Sequence, residues 1–362
     1  MSRARDDAGR LAARPGATPM SKEGQPIDES WPMVEEAVFR LFEELAGKSG
    51  NGAVPAATSG SAEHVAIGPR LAELGWSDIE AEYPVEACEL LFRAEGRSLA
   101  LTDCLDRVML AELAELLDEP ADHVLLPGLS PGHIPGSDDD RVSGIVLGPL
   151  EGRLVVPVSR PMGAVSVGVV DSSRLDGERM DTFDASAFWT RVSGPLDASL
   201  VEASTEWDRA MAAAHRALAT ELVALAEQAL RIAVEHVSVR VQFGAPIGSF
   251  QSPRHALADA SAVLAGARAL LSESWRYGGR LSAVTAKAAA GRAHRAVSDV
   301  ALQVCGAIGL TAEHDLHRYV TRGFQVDALC GSHDHLEALL GERLFEIYAP
   351  GRALPAIVTW SD

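Results

Sequence analysis

Residues 240–251 read R-V-Q-F-G-A-P-I-G-S-F-Q, between two long Ala/Leu-rich stretches. Both stretches carry apolar residues at helical spacing. Gly244 and Pro246 stop the first helix, predicted over 208–241. Ser252 and Pro253 make a cap and a first-turn proline for the second, which ends at Gly278-Gly279. Ser282 begins a third, ending near Gly306. A shorter helix is predicted over 313–325, and Ser332 caps a last one running to about Tyr348. Long antiparallel helices with short connections make a four-helix bundle, here over 201–362.

Upstream, the pattern changes twice. Residues 1–30 are rich in Arg, Asp, Gly, Pro and Ser without apolar periodicity, and read as a disordered tail. A helical domain is expected over 31–124. It has an amphipathic helix at 31–45, a flexible linker at 48–61, a helix closing on Gly75, one stopping at Gly96 and one stopped by Pro120. From 125 to 200 the apolar residues alternate or run together: V-S-G-I-V-L-G, R-L-V-V-P-V, A-V-S-V-G-V-V-D and W-T-R-V-S-G. These are strands of a small β domain. The fold class is mainly α with a β middle domain: N-terminal helices, β domain, C-terminal bundle.

A formal charge of −19 over 362 residues, with no basic stripe, argues against a nucleic-acid partner. No apolar run is long enough to span a membrane and none of the signal-peptide kind opens the chain, so a cytoplasmic protein is expected. Cys88, Cys104, Cys305 and Cys330 form no C-x-x-C pair. His333-Asp334-His335 and His314-x-x-His317 invite a metal reading. Neither comes with a third matched ligand, so no metal site is expected.

Arg240 stands where a long helix ends in a tight Phe243-Gly244 turn. A guanidinium there suits a phosphate. It equally suits the negative end of the helix dipole. The residues alone leave both open.

Paired with Q-V-C-G-A-I-G-L-T at 303–311, the opening stretch resembles the acyl-CoA dehydrogenase family. The resemblance implies FAD as cofactor, held by Arg240, Gln242, Phe243, Phe250 and Gln251. Gln303, Gly306, Ala307 and Gly309 reach the same cofactor from a neighbouring subunit, and Ser332 joins the set. Ala307 stands where the family has a second glycine. The family's middle-domain segment over the flavin ring has no counterpart beyond P-G-S-D at 135–138, which reads as a turn.

The family's base is a glutamate that takes the α-proton of a CoA thioester, in one of two positions. Those positions read Cys330 and Ala214 here, so no catalytic base is assigned. His215, Arg216 and Gly331 are the expected substrate contacts. Glu221 is expected as a bundle ion-pair or dimer-contact residue. The missing base and degenerate middle domain resemble one subunit of the actinobacterial α2β2 acyl-CoA dehydrogenases that act on steroid side-chain CoA thioesters. That implies a base-bearing homologue as partner in a heterotetramer. The alternatives are a self-sufficient dehydrogenase with an unusual base, and a non-catalytic structural or regulatory bundle protein.

Overall fold

The computed structural model describes residues 29–49, 64–129, 134–184, 187–311 and 313–347. The expected tail up to residue 28, the linker from 50 on and Tyr348 lie outside the described residues. Residues 48 and 49 of the expected linker are helical.

The described residues of the N-terminal region form five α-helices: α1 (Trp31–Ser49), α2 (Gly68–Glu73), α3 (Trp76–Glu82), α4 (Pro84–Ser98) and α5 (Cys104–Leu113). Gly75 separates α2 from α3 at φ 67°, a conformation glycine adopts without strain. The expected stop at Gly96 is corrected, because α4 runs through it to Ser98 and Leu99 takes the left-handed terminal position. Gly96 serves approach instead. A Cβ there would lie 2.7 Å from the carbonyl oxygen of Glu221 and 2.9 Å from the Ala224 methyl.

Two small sheets follow, built from β1 (His123–Val124), β2 (Arg141–Leu147), β3 (Arg153–Ser159), β4 (Val165–Asp171), β5 (Asp176–Met180), β6 (Trp189–Pro195) and β7 (Val201–Glu202). One has the order β1-β3-β4-β7, the other β2-β6-β5. β1 and β3 pair in parallel, and the other strand pairs of these two sheets are antiparallel. Val142, Val146 and Val192 of one sheet meet Leu154, Val156 and Val170 of the other in a separate small core. Alternation in the sequence comes from this face-to-face burial. Ser137 does more than turn. It is bridged to Val158, and its Oγ accepts from Ser143 N at 3.0 Å.

The C-terminal region opens with α6 (Ser204–Val239), a helix of 36 residues and therefore about 54 Å long. A hairpin of β8 (Val241–Gln242) and β9 (Ala245–Pro246) follows, then α7 (Gln251–Tyr277), α8 (Arg280–Cys305), α9 (Leu316–Ala328) and α10 (His333–Ile347). α6, α7 and α8 lie side by side; α9 sits on α6 and α8, and α10 on α8. Ala210, Ala214 and Ala217 of α6 and Ala286, Ala290 and Ala293 of α8 are fully buried. Short side chains let these helices come close and fill the seam without voids. At Gly323 of α9 the need is absolute: an added Cβ would collide with the His294 ring.

Several boundaries differ from expectation: α5 ends at Leu113, short of Pro120, α6 spans 204–239 instead of 208–241, and α9 spans 316–328 instead of 313–325. α7 starts at Gln251, with Phe250 in the cap position and no side-chain cap, so Ser252 lies in its first turn. A 3₁₀ turn at Ile247–Ser249 runs straight into the helix, and the Phe250 ring meets Phe243 edge-on at 6.3 Å. That contact sets the entry angle a polar cap would otherwise set. Likewise α8 starts at Arg280; Ser282 Oγ donates back to the carbonyl oxygens of Gly278 and Gly279.

Candidate functional site

The turn quoted at the outset is a two-residue hairpin loop. Phe243 and Gly244 both have positive φ, 54° and 81°, the pair of angles a type I′ turn requires. Phe243 is 95 % exposed in consequence. Arg240 lies just past the end of α6 in extended conformation, and its N–H donates to His236 O at 2.9 Å. No ion pair holds the Arg240 side chain among the described residues. Gln242, Gln251 and Gln303 are exposed beside these turns. Gly306, at φ 66°, ends α8, and Ala307 and Ile308 follow it at the surface. Gly309 is buried, where a Cβ would press on Cys305 and Leu316 at 3.1 Å.

The two expected flavin segments lie at one end of the bundle. α6 and α8 run the same way, and His236 of the last turn of α6 meets Cys305, the last residue of α8. The corner carries a free guanidinium, amide side chains, an open glycine turn and an exposed aromatic ring. That donor set fits a diphosphate and an adenosine. Ala307, at the surface, is no obstruction within the chain itself.

The loop at the expected base position is built differently. Cys330 has φ 54° and Gly331 φ 99°. Cys330 is 1 % exposed, and burial pushes its thiol up to about 12, against the pull of Lys287. Such a thiol stays protonated at neutral pH. Both carbonyls of the loop are held from the bundle: His215 Nε2 donates to Cys330 O at 2.9 Å and Lys287 Nζ to Gly331 O at 3.1 Å. Lys287 also donates to Asp327 O at 2.9 Å and lies 3.5 Å from its carboxylate. Asp327 accepts from His333 Nδ1 at 2.7 Å. Burial works against the Asp327 charge, but Lys287 and His333 hold its carboxyl below the usual range. Ser332 Oγ accepts from His335 N at 3.4 Å, a weak cap for α10. Ala214, the other expected base position, is in the core.

The expected substrate trio is thus divided. His215 and Gly331 converge on the Cys330 loop. Arg216 turns away to α7, with its guanidinium over the Trp275 ring at 5.4 Å. Of the histidine pairs weighed from sequence, His333 is taken by Asp327. His317 Nδ1 donates to His314 O at 2.7 Å, so these two rings do not share a centre.

Sequence reasoning missed the polar cluster between the three regions. Glu95 of α4, Glu221 of α6 and Arg322 of α9 surround a cavity of about 30 Å³, which His64, Gly148 and Trp189 close on the other sides. That is room for a water or two; a substrate pocket needs roughly 300 Å³ or more. Arg322 Nε donates to Glu221 Oε1 at 3.1 Å, the bundle ion pair expected for Glu221. Glu95 accepts from Thr102 Oγ1 at 2.5 Å, and burial, then Glu221, pushes its carboxyl up to about 8. Burial drives His64 down to about 4. The available signals were single charges inside apolar runs, Lys287 among alanines above all.

Residues 207–344 match the family model described as acyl-CoA dehydrogenase, C-terminal domain. Acyl-CoA dehydrogenase IpdE2 of Mycobacterium tuberculosis is 40 % identical over 80 residues, 22 % of this chain and 25 % of that protein. IpdE2 of Mycolicibacterium smegmatis is 39 % identical over 89 residues, 25 % of this chain and 29 % of the relative. The chain thus spans about a quarter of the length of the curated relatives it matches. Among solved structures, a variant of the Tcur3481-Tcur3483 steroid ACAD superposes with a TM-score of 0.71 at 22 % identity, covering 88 % of this chain and 98 % of that one. The ChsE4-ChsE5 complex from Mycobacterium tuberculosis gives 0.68 at 18 % identity, over 89 % and 99 %. Among the described residues no helix is long and apolar enough to cross a membrane.

Proposed function

We propose that the chain, whose residues 207–344 match the acyl-CoA dehydrogenase C-terminal domain, is the base-lacking subunit of a heteromeric, FAD-dependent acyl-CoA dehydrogenase. The complex oxidises a CoA thioester to its α,β-enoyl form. The observation that carries this reading is the Cys330 loop. Its side chain is a buried, protonated thiol, and both loop carbonyls are tied into the bundle. A general base must reach the proton it removes and be free to accept it; this buried thiol reaches none and is already protonated. The carboxylate comes from a partner chain.

Bound FAD supplies the hydride acceptor. In this chain, Arg240, Gln242 and Phe243 would hold its diphosphate and adenosine from the end of the bundle, Gln303 and Gly306 would reach the cofactor bound by a neighbouring subunit, and the partner's middle domain would cover the ring. A steroid-derived CoA thioester is the substrate class, supported by the steroid ACAD with which the fold superposes. A self-sufficient enzyme is the second reading, and Glu95 favours it, since its carboxyl is raised to about 8 beside a cavity. The size of that cavity argues the other way.

The test is turnover by the purified chain alone, with FAD, an artificial electron acceptor and a panel of acyl-CoA thioesters. The expected rate is far below ~1 s⁻¹. Co-expression with a base-bearing homologue is expected to give an active yellow complex with two flavins per four chains. Robust turnover by the single chain overturns the partner reading and makes Glu95 the base to test. Within the complex, Arg240→Ala is expected to weaken FAD binding roughly tenfold to a hundredfold, the scale of a charge-assisted phosphate contact. Unchanged affinity in a flavin titration would reduce Arg240 to a helix-end cation.

A further inference from the structure

His236, Cys305 and His314 come from three separate segments: the last turn of α6, the end of α8 and the loop before α9. One ligand atom of each lies within 4.8 Å of the other two. The imidazole rings meet edge-on, with centroids 6.0 Å apart. Cys305 is buried and the two histidines half-buried, so the triangle has an inner face of protein and an outer one open to solvent.

We propose that these three residues bind a divalent zinc-class cation, which fastens Cys305 and His314 to the end of α6. Two imidazoles and a thiolate form a borderline-soft set that suits zinc and excludes magnesium or calcium. Zinc bonds of about 2.0–2.1 Å to nitrogen and about 2.3 Å to sulfur put tetrahedral ligands roughly 3.5 Å apart. On binding, side-chain rotation brings the ligand atoms from their present separations, all within 4.8 Å, to that size. A water takes the fourth position on the open side. Binding breaks the Cys305 S–H bond, forms a metal–sulfur bond and releases the proton to solvent, with no change of oxidation state.

One local feature prepares the site. His314 Nδ1 accepts the Leu316 N–H at a long 3.3 Å, which keeps a lone pair on that nitrogen in a contact weak enough for a metal to replace. His317, three residues on, is occupied by its bond to His314 O. The sequence pointed to the pair 314/317. The fold instead joins His314 to residues 78 and 9 positions earlier in the chain. The proposal rests on this geometry and not on the flavin reading.

The decisive experiment titrates the chelator-stripped, reduced full chain with Co²⁺. One Co²⁺ per chain is expected. It should bring a thiolate-to-cobalt charge-transfer band in the near ultraviolet and tetrahedral d–d absorption in the visible, both erased by Zn²⁺. Cys305→Ser should abolish the charge-transfer band. His236→Gln and His314→Gln should each weaken Co²⁺ binding by at least about tenfold, while His317→Ala leaves it unchanged. Absence of the near-ultraviolet band in the wild-type chain at saturating Co²⁺ overturns the proposal, as does a band that survives Cys305→Ser. The wild-type titration decides the matter even where a variant fails to fold, and neither arm depends on acyl-CoA turnover.

Discussion

Arg322→Met is expected to cost the fold on the order of 3–5 kcal/mol, the range for stripping one partner from a buried ion pair. Arg322 is the cation that offsets both Glu221 and Glu95. Burial works against its own charge, and Glu221, Asp184 and Glu95 outweigh it. Without it, Glu221 is left desolvated and Glu95 faces a second carboxylate unscreened. Denaturant unfolding measures the loss, and a change below about 1 kcal/mol would mean the cluster is solvated. The same cluster has a pH signature. The folded Glu95 carboxyl is raised to about 8 from 4.5. Below 4.5 both folded and unfolded chains hold the proton; between 4.5 and 8 only the folded chain does. Its contribution to stability is therefore fully present at low pH and is lost as pH rises through the folded value. Glu95→Gln keeps the neutral form at every pH. The variant should gain on the wild type steadily as pH climbs, and a constant difference across that window would refute the raised carboxyl.

Lys287→Met removes the one ammonium in an alanine seam, at an expected cost of about 3 kcal/mol. Its Nζ is fully buried and bonds two carbonyls and a carboxylate. Burial lowers its pKa, and Asp327 and Cys330 oppose the fall. The substitution leaves Asp327 with His333 alone and frees Gly331 O. A second readout separates this from a generic packing defect. Cys330 should become far more reactive toward a thiol reagent, mapped by mass spectrometry against half-buried Cys88. Lys287→Met combined with Asp327→Leu should recover much of the lost stability, since a well-packed apolar pair often replaces a buried ion pair without loss. Unchanged stability in the single variant, or Cys330 as inert as before, would show that His215 holds the loop unaided.

The helices and strands were legible because burial has a period. The alternation over 142–194 and the Ala/Leu repeats over 204–305 survive as the two sheets and the long helices. Cap positions were less legible. Ser252 and Ser282 have the right chemistry for a cap, but the Phe243–Phe250 contact and the Gly278–Gly279 turn fix those helix starts first. Gly96 looked like a stop because a glycine's reason is invisible without its neighbour; here the neighbour is the Glu221 carbonyl, on a different helix. Arg240 and Gln303 could be placed from their motifs. The Glu95–Glu221–Arg322 cluster could not. It joins side chains 126 and 101 positions apart, and nothing local marks a charge that will be buried.

That cluster has a calorimetric consequence. Its charges come from the N-terminal helices and the bundle, and the β region covers them, with His64 wedged against Gly148 so closely that a Cβ there would stand 2.8 Å from the ring. No one of these regions can melt alone without hydrating a charge held by another. The chain should therefore unfold in a single endotherm, with van't Hoff and calorimetric enthalpies in agreement, although its architecture has three parts. Loosening the junction at Arg322 should split that endotherm, letting the sheets go before the alanine-lined helices.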